Sequence, residues 1–244
     1  MAAAAAESNS ILKALEAGPG ARFLPRFQRV PLRRGAVLHY PGEPAEAVCF
    51  PLSGLVAVMS DSADGESVQT GMVGCEGAVG AFEAYVGGRF ASKYVVQVGG
   101  EALRLGAATF RELCREALDF RQRMERYFEF LLTESRVLVM CNALHGVEAR
   151  LARSILEALE RSCIEGPLPL TQEALAQMLG AQRTTVAVAM SRLQRAGLVR
   201  SGRGAVTVPD RAALERLACR CHLALHEARR GAWGEGAGRL QRSG

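Results

Sequence analysis

The 244-residue sequence has no apolar run long enough to cross a membrane, and its longest uncharged stretch, Ala47 to Ser60, is broken by Pro51 and Gly54. The alanine-rich start, Met1 to Ser10, lacks the basic residues of a secretory leader. Export and membrane anchoring are therefore not expected. Histidines number only four and tryptophan one, and no P-loop, dinucleotide fingerprint or Ser/His/Asp set is present. A metal-dependent cupin-type enzyme, the competing class, would need several histidines within its sheet, and only His39 falls in the strand-rich half. The seven cysteines (Cys49, Cys75, Cys114, Cys141, Cys163, Cys219 and Cys221) are odd in number and lack the spacing of a disulfide framework. A reducing cytoplasm is the expected compartment.

What is present is unevenly distributed. Residues 1–149 hold 15 basic and 17 acidic side chains, whereas residues 150–244 hold 15 and 8, so a net charge of −2 is followed by one of +7. An arginine-biased segment of domain size suits a nucleic-acid partner, because cations placed on phosphates release condensed counterions.

Between Val30 and Leu105 short apolar runs of period two alternate with turn residues at Pro41-Gly42, Ser53-Gly54, Asp64-Gly65 and Gly99-Gly100. This predicts an antiparallel β-roll. From Ala107 the period becomes helical. Met124, Phe128, Leu131, Ser135, Leu138, Asn142 and His145 recur at spacings of four and three, an a/d seam with polar interruptions. That pattern predicts a long dimerisation helix meeting its copy through Met124, Phe128, Leu131 and Leu138.

A second helix, Val147 to Arg161, precedes the breaker Gly166-Pro167-Leu168-Pro169. Thr171 can then cap a helix through Leu179, Gly180 suits the left-handed residue that ends it, and Gln182 to Arg195 forms the next helix. Leu175, Leu179, Val186, Met190 and Leu193 fall on the inner face of this pair. Arg183, Arg192 and Arg195 lie on the second helix, which carries no acid. Leu198 to Arg200, a turn at Ser201 to Gly204, and Ala205 to Val208 make a short hairpin. The combination is a winged helix-turn-helix, whose second helix can enter the major groove N-terminal end first. Base or phosphate contacts are expected from Thr171, Gln172, Gln182, Arg183, Thr184, Thr185, Ser191, Arg192 and Arg203. The Gly- and Arg-rich segment 227–244 reads as a disordered tail.

Roll, long helix, and the run Thr171-Gln-Glu-Ala-Leu-Ala-Gln-Met-Leu-Gly-Ala-Gln-Arg-Thr-Thr-Val186 together resemble the Crp/Fnr transcription regulators, over roughly Phe23 to His222. The resemblance implies an α+β chain divided into an N-terminal segment (1–22), an effector β-roll of the double-stranded, cyclic-nucleotide-binding-like kind (23–119), a dimerisation helix (120–145) and a Crp-type winged helix-turn-helix (146–226). It also implies a homodimer on a near-palindromic DNA site, with RNA polymerase as a partner if the protein activates. Family members often begin the recognition helix with Arg-Glu-Thr-Val, the arginine reading guanine. Here Arg183, Thr185 and Val186 match, but Thr184 replaces the glutamate, which implies a changed operator.

In cyclic-nucleotide members of the family a Gly-Glu-Leu turn and an Arg-Ser-Ala run hold the ribose and the cyclic phosphate. The corresponding segments here are Gly74-Cys75-Glu76-Gly77 and Arg89-Phe90-Ala91-Ser92. Phe90 stands at the arginine position, and a one-residue slip in a strand turns a side chain to the other face. Glu76, Gly77, Arg89 and Ser135, the last matching the family's purine contact, are the candidate effector residues. No cofactor is required on this reading; the alternative is a cyclic-nucleotide-responsive regulator with a rebuilt cassette. The iron–sulfur branch of the family uses N-terminal cysteines, and none precedes Cys49. Cys141/His145 and Cys219/Cys221/His222 each lack a paired metal-ligand spacing, so no metal is expected.

Overall fold

The computed structural model describes residues 8–15, 18–202 and 204–233. The N-terminal half is one antiparallel sheet with strand order β1-β5-β3-β4, and β2 also pairs with β5. β1 spans Gln28–Leu32, β2 Val37–His39, β3 Ala47–Asp61, β4 Ser67–Val73 and β5 Lys93–Gly106. The long strands β3 and β5 stay paired over most of their length, with register shifts near Ser53 and Leu55 that bend them into a roll. Its interior is filled by Leu32, Val56, Val73, Val79, Phe90 and Val96, all nearly inaccessible.

Helix α1 (Ala81–Val86) interrupts the roll, and α2 (Ala107–Glu116) leads into the long helix α3 (Leu118–Leu144). Phe120, Met124, Tyr127 and Phe130 of α3 pack with Phe50, Leu103, Phe110 and the N-terminal Ile11 and Leu12 in one core. Asn9 anchors that N-terminal turn: its Nδ2 donates to the carbonyls of Pro51 (2.9 Å) and Gly77 (3.0 Å), and its Oδ1 accepts from the Ile11 amide (3.0 Å).

After the turn at His145-Gly146 come α4 (Val147–Ser162), α5 (Gln172–Leu179), α6 (Arg183–Arg195), the hairpin β6 (Arg200–Gly202) and β7 (Ala205–Thr207), α7 (Arg211–Leu217) and α8 (Cys221–Trp233). Leu151, Ile155, Leu175, Leu179, Val186 and Leu193 form their core, and Leu55, Met72 and Val98 of the roll extend it. The two halves therefore share buried apolar surface.

Two sequence expectations are corrected here. Residues 227–233 are not a loose tail but the end of α8. Arg229 pairs with Glu157 (3.1 Å) and Glu160, Ala232 is buried, and Trp233 stacks on Tyr127 at 6.0 Å between ring centroids. Arg229 is thus engaged by α4, whereas Glu227 and Arg230 stay exposed; residues 234–244 lie outside the described part. Met124, placed in the dimer seam by its heptad position, is fully buried against the chain's own roll. Phe128 and Leu131 are partly covered by the same core, and Leu138 is half-buried. The helix is apolar on two faces, so the periodicity is satisfied twice. The face left to solvent is rotated by one residue and carries Leu132 (52% exposed) and Val139 (71%).

Candidate nucleic-acid interface and effector region

The helix-turn-helix is assembled by local chemistry. The Thr171 hydroxyl accepts the Ala174 amide hydrogen at 3.1 Å, capping α5. Gly180 ends α5 at φ +54°, and a Cβ there would meet the Val68 side chain of β4 at 3.1 Å. Glycine thus serves both the left-handed turn and a close approach to the roll. Leu175, Leu179, Val186, Met190 and Leu193 all turn inward, as their spacing predicts.

The opposite face of α6 is open. Gln182, Arg183, Thr184, Thr185, Ser191 and Arg192 are exposed, as are Gln172 and Arg195. Among the described residues Arg183, at the N-terminal end, forms an exposed pair with Glu173 (3.0 Å), and Arg192 one with Glu148 (3.4 Å). Solvent screens such pairs, so either cation can exchange its carboxylate for phosphate or base. Val188 is 54% exposed in the middle of this face, one turn from Thr184 and Ser191. An apolar side chain there suits a thymine methyl. The sequence offered no signal for Val188, because a valine in an amphipathic helix reads as core. The hairpin β6–β7 forms with Arg200 paired to Thr207, and Leu168 bridges Val206 to fasten the wing to the domain. Arg203, expected on phosphate, lies outside the described residues. A cleft shared by Asp61, Glu66, Gln177 and Arg183 separates the β3–β4 hairpin from the start of α6.

The four expected effector residues do not converge. Arg89 donates to the Gly42 carbonyl (2.7 Å) at the exposed rim of the roll. Phe90 is buried beside it, stacked on His39 at 3.9 Å and edge-on to Tyr94 at 5.3 Å. Ser135 donates to the Leu131 carbonyl of its own helix (3.0 Å) and borders a cavity of about 300 Å³ between β4, α3 and α4. Gly77 lies against the Tyr127 hydroxyl, which a Cβ there would meet at 2.6 Å.

Glu76 is committed elsewhere. Its Oε1 accepts from Arg161 Nε (2.8 Å) and from the Gly74 amide (3.1 Å), while Arg161 also pairs with Glu134 and donates to the Met72 carbonyl. Arg161 and Glu134 are buried, and Glu76 is 6% exposed. Burial works against the Arg161 charge, but Glu134 and Glu76 together hold its pKa well above the ordinary guanidinium value. Burial pushes the Glu134 carboxyl up, against the pull of Arg161. One arginine from the last turn of α4 thus ties a roll turn to the long helix.

The roll turn also touches the α4 terminus directly. The Cys75 amide donates to the Arg161 carbonyl (2.9 Å), and a Cβ on Gly74 would fall 1.9 Å from that same oxygen, so only glycine permits the approach. Beside it Cys75 and Cys163 are joined as a disulfide. The odd count and irregular spacing of the cysteines show no disulfide framework, and no local pattern reports this pair because folding closes a gap of 88 residues. Cys163 caps α4 at φ +48°, where glycine usually sits.

A sheet roll joined through a long helix to a winged helix-turn-helix, with a basic, acid-free reading face, defines a DNA-binding transcription regulator carrying an effector-type domain. The sequence matches the cyclic nucleotide-binding domain family over residues 29–117 and the Crp-like helix-turn-helix domain family over residues 149–217. The chain belongs to the Crp/Fnr family of transcription regulators. Its fold is that of FixK2 from Bradyrhizobium japonicum (TM-score 0.68, 17% identity, covering 79% of this chain and 98% of that one). It is likewise similar to a CRP/FNR-family transcriptional regulator from Thermus thermophilus (0.61, 24%, 78% and 98%) and one of the crp/fnr family from Eubacterium rectale (0.64, 18%, 86% and 98%). A comparison with curated proteins finds no match. Among the described residues no helix is long and apolar enough to cross a membrane.

Proposed function

We propose that this regulator binds a near-palindromic operator as a homodimer, reads it with the exposed face of α6, needs no cyclic nucleotide and catalyses no reaction. The observation that carries the reading is the open α6 face, where Arg183, Thr184, Thr185, Val188 and Ser191 share a helix that carries no acid. Arg183 at the N-terminal end can reach the O6 and N7 acceptors of guanine. Thr184 accepts from cytosine N4 less selectively than a glutamate would. Arg183→Ala is expected to cost about 1–3 kcal/mol on the specific site and to relax one base position, whereas Arg192→Ala should weaken all sequences alike and flatten the salt dependence. Titrations against specific and random duplexes check this; equal losses on both for Arg183→Ala would overturn the base-reading assignment.

The dimer reading rests on the solvent face of α3. Phe128, Leu132, Ser135, Val139 and Asn142 continue a seam of alternating four- and three-residue steps, with Leu132 and Val139 largely exposed and Phe82 packed edge-on to Phe128 at 5.5 Å. A parallel pair of such helices would set two recognition helices about one DNA turn, roughly 34–36 Å, apart. Val139→Glu would oppose two carboxylates across the axis and is expected to give a monomer by sedimentation at micromolar concentration. A variant that stays dimeric would place the interface elsewhere.

Independence from cyclic nucleotide is supported by the filled roll. A buried cyclic phosphate must meet a fixed cation, yet Phe90 is buried where that cation would stand and Glu76 is held by Arg161. A ligand with no preference between two states shifts neither. Operator affinity is expected to be unchanged by millimolar cyclic AMP, and Arg89→Ala should leave it so. A tenfold gain with the nucleotide, lost in Arg89→Ala, would overturn this reading.

A further inference from the structure

Two short cysteine–histidine segments, 74 residues or more apart in sequence, meet at the joint between α3 and the DNA-binding half. Cys141 and His145 close the last turn of α3, one helical turn apart. Cys219 and Cys221 bracket the turn from α7 into α8. Cys141 Sγ lies 3.5 Å from Cys219 Sγ, and Cys221 Sγ lies 3.5 Å from His145 Nδ1. One ligand atom from each of the four lies within 4.8 Å of all the others.

We propose that Cys141, His145, Cys219 and Cys221 bind one zinc ion, which fastens the end of the long helix to the DNA-binding half. Three thiolates and one imidazole are an established zinc set. With Zn–S of about 2.3 Å and Zn–N of about 2.0 Å, a tetrahedral ion spaces its ligand atoms by roughly 3.5–3.8 Å, which the two shortest contacts match. A polynuclear iron–sulfur cluster would distribute its thiolates over several irons, further apart than this set allows. Neither segment has a zinc spacing on its own, because a helix supplies one pair and a turn the other.

A second observation concerns charge. Arg153 of α4 is 2% exposed, its Nε has no hydrogen-bond partner, and it forms no ion pair among the described residues. Its charge acts on Cys141, Cys219 and Cys221 alike. A buried cation without a counter-charge is costly. Zinc with three thiolates and a neutral histidine carries a net negative charge, and supplies the partner that Arg153 otherwise lacks. The neighbouring trio Glu157, Glu160 and His222 is also close enough to hold an ion. It needs none, since Arg229 and Arg211 already pair with its carboxylates and His222 Nδ1 lies 2.9 Å from Glu157.

The test is elemental mass spectrometry of the full chain, purified without chelator. One zinc per chain is expected. Cobalt(II)-grown protein should show the intense visible bands of a tetrahedral thiolate site, and Cys219→Ser and Cys221→Ser should lose the metal. Cys114→Ala, a buried cysteine in the roll core, should keep it. Wild-type protein with no metal, or with iron in place of zinc, would overturn the proposal. So would full zinc occupancy in the Cys219→Ser/Cys221→Ser double variant. If the serine variants do not fold, the wild-type stoichiometry and the cobalt spectrum still decide.

Discussion

Arg161→Met is expected to lower the unfolding free energy by about 3–5 kcal/mol, although methionine keeps most of the side-chain volume. The loss comes from what remains. Glu76 and Glu134 would sit buried with no cation, and the Met72 carbonyl would lose a donor. Without the opposing pull of Arg161, burial raises the folded-state pKa of the Glu134 carboxyl further. A carboxyl whose pKa is raised by folding binds its proton more tightly in the folded state. Stability is then retained at low pH and falls as the pH rises through that raised value. The deficit of Arg161→Met should therefore be smaller at about pH 5 than at about pH 8. Converting both partners as well, in Arg161→Met/Glu76→Gln/Glu134→Gln, should recover much of the stability, because removing a whole buried ion set costs far less than stranding part of it. Denaturant titrations of the single and triple variants at both pH values check all three statements. A single variant within about 1 kcal/mol of the wild type would show that the triad is worth no more than a surface pair.

The parts of this molecule legible in the sequence are those set by near neighbours. Thr171, Gly180 and the inward leucines lie within one helical hairpin, so cap, turn and period announce the helix-turn-helix before any tertiary contact is known. The period-two runs announce the roll for the same reason. The rotation of α3 is not legible, because apolar residues on both faces satisfy a heptad in more than one phase and only packing on Phe50 and Phe110 decides that Met124 points inward. Glu76 is a candidate effector residue only by the resemblance of its turn to the family's cassette. Its actual partner is 85 residues away, and no local pattern reports such a pair. The same holds for Arg229, whose charge reads as solvent-facing until α8 lies along α4 and gives it Glu157 and Glu160. Val188 stayed hidden because exposure of one apolar residue on a short helix depends on which face its neighbours cover.

Breaking the Cys75–Cys163 bond is expected to have an effect as large as the loss of Arg161. The bond closes a separation of 88 residues, and the chain-entropy relation assigns about 4.6 kcal/mol to a loop of that size, mostly by restricting the unfolded chain. Its position adds a structural consequence. Cys75 sits in the roll turn that also presents Glu76 to Arg161, and Cys163 ends the helix that carries Arg161. Disulfide, ion triad and the Cys75–Arg161 backbone bond thus clamp one spot, where the roll meets the DNA-binding half. Their energies should not simply add, since groups sharing a contact couple. Oxidised wild type is expected to be more stable than Cys75→Ser by about 4.6 kcal/mol. In the presence of a phosphine reductant the two proteins should become nearly equal, because serine replaces a free thiol of similar size. Arg161→Met should cost less in the Cys75→Ser background than alone if the roll turn then separates from α4, and the same amount if the turn stays docked on its remaining contacts. A wild-type midpoint that does not move with reductant would mean that the bond contributes nothing to the folded protein in solution.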